Sequence, residues 1–70
     1  MTRDEWIADF AGRLGAEPPS PQEVEAILDL AAIAAHASER TAAPIACWVG
    51  GRAGRSLDEL REAARAVDSR

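Results

Sequence analysis

The sequence predicts an all-α protein, a compact four-helix orthogonal or bundle-like domain in which the second helix is central. Three observations lead to this prediction. Apolar residues recur at helical spacing in four segments, three of these segments begin with the same capping motif, and the second is apolar around more than half of its circumference. We expect helices at about 3–14, 21–39, 42–53 and 57–68, within a single domain that spans 1–70.

The first helix begins with a capping box. In this motif the Thr2 hydroxyl and the Glu5 carboxylate each accept a hydrogen bond from a backbone amide that has no partner inside the helix. The apolar positions that follow are Trp6, Ile7, Phe10, Ala11 and Leu14. Gly15 is the expected stop, because glycine readily adopts the left-handed conformation that ends many helices.

The second helix begins with another capping box, from Ser20 to Glu23, with Pro21 at the favoured first helical position. Its broad apolar surface indicates contact with several neighbouring helices. The remaining polar strip is narrow and consists of Glu25, Asp29, His36 and Arg40.

The third helix has two unlike sides. Thr41 is the expected N-cap, and Pro44 is tolerated in the first turn. One side carries an apolar stripe with Ile45 and Val49. The other side permits close approach of a neighbouring helix, because it carries small residues: Ala43, Ala46, Gly50 and Ala53.

The fourth helix follows a third capping box, from Ser56 to Glu59. Leu57, Leu60, Ala64 and Val67 form its apolar side. We expect its polar residues to lie on the outer surface: Arg61, Glu62 and Arg65.

Size and charge limit the function. Seventy residues with fifteen large apolar side chains make a thin core, so dimerisation or packing on a partner domain would add stability. The net charge of −4 argues against nucleic acid as the main partner. No apolar run is long enough to cross a membrane, and no signal peptide is visible. The single cysteine, Cys47, favours a reducing cytoplasm.

The junction between the second and third helices holds the least ordinary residues. Its corner consists of His36, Glu39, Arg40 and Thr41, where a partner or a ligand would be recognised. An anion could be held there by the Arg40 guanidinium and the amides at the start of the third helix. Alternatively, Arg40 pairs with Glu39 or with a carboxylate of the first or fourth helix and only fixes the corner.

Two further features lie near the junction, Trp48 and a glycine-rich segment, and the sequence does not fix the role of either. Trp48 is either part of the core or an exposed hydrophobic anchor for a partner. The glycine-rich segment 50–56 is not a P-loop, because its glycine spacing is one residue short, arginine replaces lysine and no strand precedes it. Arg52 and Arg55 could still contact an anion weakly.

No catalytic constellation is visible. Cys47 has no second thiol, and nothing would orient His36 as its general base, so a buried structural cysteine is expected. Asp29 and His36 lie about 10.5 Å apart along the helix axis, too far to share one metal ion. We therefore expect no enzymatic activity, no metal and no cofactor.

The segment AAHASERTAAPIACWVGGRAG, together with the upstream DEW and LDLA, resembles a small actinobacterial-type family of unknown function. Its members look like stand-alone acidic proteins or C-terminal appendages of molybdenum-cofactor guanylyltransferase (MobA-like) proteins. The resemblance implies a link to molybdopterin guanine dinucleotide biosynthesis and carries no catalytic residues. The sequence thus predicts a non-enzymatic accessory or protein-interaction module. The alternative is a domain that binds a small anion (phosphate, nucleotide or pterin) at the corner.

Overall fold

The computed structural model describes residues 1–68, which fold into α1 (Arg3–Leu14), α2 (Pro21–Ala37), α3 (Ala42–Arg52) and α4 (Leu57–Asp68). No strand occurs in this part of the chain, so the predicted all-α fold is confirmed. Helix α2 ends two residues, and α3 one residue, before the predicted limits. The last two positions of the predicted domain lie outside the described residues.

The three predicted capping boxes are present. At α1, the Glu5 amide donates to the Thr2 hydroxyl at 3.1 Å, and the Thr2 amide donates to the Glu5 carboxylate at 2.7 Å. The same reciprocal pairs join Ser20 to Glu23 and Ser56 to Glu59. Each box satisfies two amides that the helix itself leaves without partners.

The predicted stop of α1 is also confirmed. Gly15 has a φ of 69°, and its amide donates to the carbonyls of Ala11 and Gly12. A side chain at this left-handed position would cost about 1–2 kcal/mol.

Thr41 is the N-cap residue of α3, as predicted, but its side chain does not cap the helix. Thr41 has helical dihedral angles (φ −69°, ψ −13°), and its side chain accepts no hydrogen bond from the helix. An N-cap side chain reaches the helix amides from an extended backbone, which Thr41 does not adopt. Its hydroxyl instead donates to the Glu39 carboxylate at 3.1 Å.

Helix α2 is central, as predicted, and packs mainly against α3 and α4. Leu30 is its most buried large side chain, with 5% of its surface exposed. Gly50 of α3 allows the close approach of α4, since a Cβ at this position would lie 2.9 Å from Leu60 Cδ1. The small-residue side of α3 therefore faces the core.

Because the small side faces inward, the large apolar side of α3 faces outward. Ile45 and Val49, which were expected to supply its apolar packing stripe, are exposed. Eight of the fifteen large apolar residues available for a core are exposed in the same way: Trp6, Phe10, Leu14, Leu28, Ile45, Trp48, Val49 and Val67.

Ion pairs join α2 to α4. The Asp29 carboxylate accepts from the guanidinium of Arg61 at 3.4 Å and from that of Arg65 at 3.1 Å. Arg61 also pairs with Asp58 on its own helix. The prediction that Arg61 lies outside is therefore wrong, since its side chain is 27% exposed and reaches back to α2.

Helix α1 is the least buried element. Within it only Ala11 is buried and only Ile7 is half-buried. The whole molecule measures 39 × 24 × 18 Å, and its radius of gyration of 12.8 Å exceeds the roughly 11 Å of an average folded chain of this length. The molecule is thus elongated, with much apolar surface outside its small core.

Candidate functional site

The α2–α3 corner is fully on the surface. His36, Glu39, Arg40 and Thr41 are all exposed, and they follow one another where α2 ends and α3 begins. No carboxylate of residues 1–67 forms an ion pair with Arg40. The interpretation in which Arg40 only fixes the corner through such a pair therefore has no support here.

The start of α3 does not offer the amides that an anion site would need. The Ala42 amide donates to the Glu39 carbonyl at 2.9 Å, and the Ala43 amide donates to the Arg40 carbonyl at 3.2 Å. The next residue, Pro44, has no amide hydrogen. The expectation of free amides beside Arg40 is thus wrong, and an anion at the corner would depend on side chains alone.

Beside the corner lies an exposed apolar surface, which we call the α3 face: Ile45, Trp48 and Val49. Their exposed fractions are 63%, 64% and 56%. The Arg52 guanidinium lies over the Trp48 ring, with its central carbon 4.6 Å from the ring centroid. This cation–π contact orients the indole on the surface. Trp48 is therefore exposed and is not part of the core.

The charge next to the α3 face is positive. No residue from Ala42 to Arg52 is acidic, and Arg52 is the only charged residue of helix α3. A shallow groove of about 290 Å³ between α3 and α4 continues the apolar surface, with Val49 and Val67 among its lining residues. The surface is therefore apolar with a positive border.

The two arginines of the glycine-rich segment do not converge on an anion site. Arg52 stacks on Trp48, whereas the Arg55 guanidinium forms an ion pair with Glu59 at 3.1 Å. Gly54 has a φ of 69° and turns the chain between α3 and α4. The pKa of Glu59 is lowered because its carboxylate accepts hydrogen bonds from the Ser56 amide, Arg55 and the Ser56 hydroxyl.

Cys47 lies on the inner side of α3 and is half-buried rather than fully buried as expected. Burial raises the pKa of its thiol, which disfavours the nucleophilic thiolate. Among the described residues, no group of three or more His, Cys, Asp or Glu side chains could hold a metal ion.

A second apolar surface was missed by the sequence reasoning, which treated it as core. It lies on α1 and consists of Trp6, Phe10 and Leu14, with exposed fractions of 53%, 48% and 65%; we call it the α1 face. The two rings stack with centroids 5.1 Å apart. An open groove of about 790 Å³, lined by Ile7, Val24 and other residues of α1 and α2, lies beside α1.

The chain belongs to a family described as a domain of unknown function (DUF6457), whose model matches residues 1–70. No curated protein and no solved structure matches the chain. None of the described helices combines the length and apolar character that crossing a membrane requires.

Proposed function

We propose that this protein is a non-enzymatic interaction module that binds a partner protein through its α3 face. The observation that carries the proposal is the exposed Trp48, held by Arg52 at the centre of an apolar surface. Tryptophan and arginine are the residues most enriched among interface hot spots. A monomeric protein rarely leaves such a cluster exposed without a binding role.

The charge around the α3 face suggests the chemistry of the partner. Arg52 borders the face. Arg40 precedes it along the chain and forms no ion pair with residues 1–67, whereas the carboxylate of the neighbouring Glu39 accepts a hydrogen bond from Thr41. Charge complementarity favours a partner with an apolar segment flanked by acidic side chains. His36 and Thr41 would complete the polar rim at the corner.

The resemblance to appendages of molybdenum-cofactor guanylyltransferases suggests where this partner could be found. We propose that the module acts as an accessory to such a guanylyltransferase in the cytoplasm. The alternative, binding of a small anion at the corner, is less well supported, because the amides of Ala42 and Ala43 already have partners.

The binding surface is tested by photo-crosslinking in the native host. A benzophenone amino acid replaces Ile45, and a control chain carries it at Glu62, an exposed position of α4. We expect one dominant protein adduct from position 45 and none from position 62. The absence of an adduct from position 45 would contradict the proposal.

The identity of the partner is tested by calorimetric titration with the guanylyltransferase of the same organism. Trp48→Ala should weaken binding at least about 30-fold, the factor that corresponds to a 2 kcal/mol hot spot. Leu28→Ala is the control, since Leu28 is a large apolar residue that is also more than half exposed but lies on α2, outside the α3 face. An equal loss in both variants would show that the α3 face is not the binding surface.

The small-anion alternative predicts a different response. Phosphate and guanine nucleotides should raise the melting temperature of the wild-type chain but not that of Arg40→Ala. A shift that depends on Arg40, without any binding of the guanylyltransferase, would favour the alternative.

A further inference from the structure

We propose that the chain forms a two-fold symmetric dimer in which α1 of each copy packs antiparallel to α1 of the other through the α1 face. This face lies on a different helix from the α3 face. The inference therefore goes beyond the proposed function and does not depend on it.

The exposed area indicates that a large surface is left without its partner. The chain has 5543 Å² of accessible surface, whereas a folded monomer of 7.4 kDa exposes about 4,200 Å². The chain therefore exposes about 1,300 Å² more than a folded monomer of its mass would. A stable interface buries about 800 Å² on each partner, and the excess, which is spread over the whole chain, is larger than this area.

Helix α1 is the element that most needs this burial. It has 12 residues, close to the length below which an isolated helix is marginal in water. Within its own chain it is covered only at Ile7 and Ala11, while its three largest apolar side chains stay exposed. A second helix against the α1 face would cover them.

The α1 face can pair with itself. Trp6 and Leu14 each lie four residues, about 6 Å, from Phe10 along the axis and on the same side of the helix. In an antiparallel pair with Phe10 on the two-fold axis, Trp6 of one copy meets Leu14 of the other. Such an isologous contact closes as a dimer and cannot extend into a filament.

The charges of α1 also favour the antiparallel arrangement. The first turn holds Asp4 and Glu5 together with Arg3, which pairs with Asp4 at 2.9 Å, and Arg13 lies in the last turn. Antiparallel packing brings Arg13 towards the acidic half of the partner helix and opposes the two helix dipoles. The bond from Arg13 to Asp9 on the same helix is long, at 3.8 Å, so it does not hold this guanidinium tightly.

The α3 face lacks this self-complementarity. The only charged residue of helix α3 is Arg52, which borders this face, and two copies would place like charges together. A second copy therefore suits the α1 face, whereas an acidic partner suits the α3 face.

The dimer is tested by sedimentation velocity of the full chain over a range of concentrations. The wild-type chain should have a mass of about 15 kDa, twice the 7.4 kDa of one chain. Phe10→Asp places two carboxylates on the symmetry axis and should give the mass of one chain, while Trp48→Ala should remain a dimer. A monomeric wild type, or a dimer lost in Trp48→Ala but not in Phe10→Asp, would overturn the proposal.

A crosslink tests the register even if Phe10→Asp alters folding. Phe10→Cys in a Cys47→Ser background should form an intermolecular disulfide rapidly under mild oxidation, since the two thiols would face each other across the axis. Glu62→Cys in the same background is the control. Equal rates at both positions would show that the α1 face is not the interface. If the chain proves to be a monomer, the proposal for the α3 face is unaffected, because the photo-crosslinking and calorimetric titration that test it do not involve α1.

Discussion

At the scale of single residues, hydrogen bonds in two of the capping boxes lower the pKa of the acidic member, Glu5 or Glu59. Glu5 and Glu59 each stand three residues after the hydroxyl that caps their helix. The pKa of Glu5 is lowered first by the hydrogen bond from the Thr2 backbone amide and then by the bond with the Thr2 hydroxyl. These bonds exist only in the folded chain, so they link protonation to folding.

Acidification should therefore weaken the fold through these two groups. Both have an ordinary pKa of 4.5 when unfolded and a lower one when folded. Their contribution is fully present above the unfolded value and is lost as the pH falls through the folded value. The urea midpoint of the wild-type chain should decrease below about pH 4.5.

The double variant Glu5→Gln, Glu59→Gln isolates this effect. It keeps an acceptor at each capping box but removes the titration, so its stability should depend less steeply on pH in the acid range. Glu62→Gln removes an exposed carboxylate outside the capping boxes and is the control for the change in net charge. An unchanged acid slope in the double variant would contradict the assignment.

At the scale of elements, α3 shows that a helix need not bury its largest apolar side chains. Gly50 lies against Leu60 and within reach of Leu30, which brings the α3 backbone close to its neighbours. Close backbone approach increases the number of van der Waals contacts along the whole helix. This arrangement leaves Ile45 and Val49 exposed.

Two identical substitutions test the role of Gly50. Gly12→Ala in α1 should raise the free energy of unfolding by about 0.5–1 kcal/mol, because alanine favours helix and nothing lies within 4 Å of the new Cβ. Gly50→Ala should gain less or lose stability, because its Cβ would lie 2.9 Å from Leu60 Cδ1. Equal gains in urea unfolding would contradict close packing of α3.

At the scale of the whole molecule, stability is distributed unevenly. Helix α2 contacts both α3 and α4 and is tied to α4 by the Asp29 ion pairs. Helix α1 has one buried residue, Ala11, and a mainly exposed surface. Elements with few buried contacts open at lower free energy than the rest of a protein.

Hydrogen exchange should reveal this difference. In the Phe10→Asp variant, which is expected to be monomeric, amides of α1 should exchange well before those around Leu30 in α2. In the wild-type chain, protection of α1 should increase with concentration as dimers form. Uniform exchange of both helices would mean that α1 and α2 unfold as one unit.

Much of the local structure could be predicted from the sequence. Capping boxes, the Gly15 stop and the apolar periodicity act within about four residues of chain, and they placed the helices within two residues of their bounds. The exception was Thr41, whose side chain pairs with Glu39 instead of capping α3.

The candidate site was predictable only in part. The exposed polar corner was expected from its composition, but the pairing of Asp29 with Arg61 joins residues 32 positions apart, and no local pattern encodes it. The α1 face was missed because an apolar helical stripe has the same pattern whether its own chain covers it or another does.

The amino-acid order by itself determined that this protein is helical and, to within two residues, where each helix begins and ends, because helix formation and capping depend on neighbours one turn away. Only the tertiary structure decided which side of each helix turns inward. The inward side depends on the balance between the close contacts that small residues allow and the burial of large apolar side chains. These contacts join residues that are far apart in the chain. This balance placed Trp48 and Phe10 on the surface, where the two proposed interfaces lie.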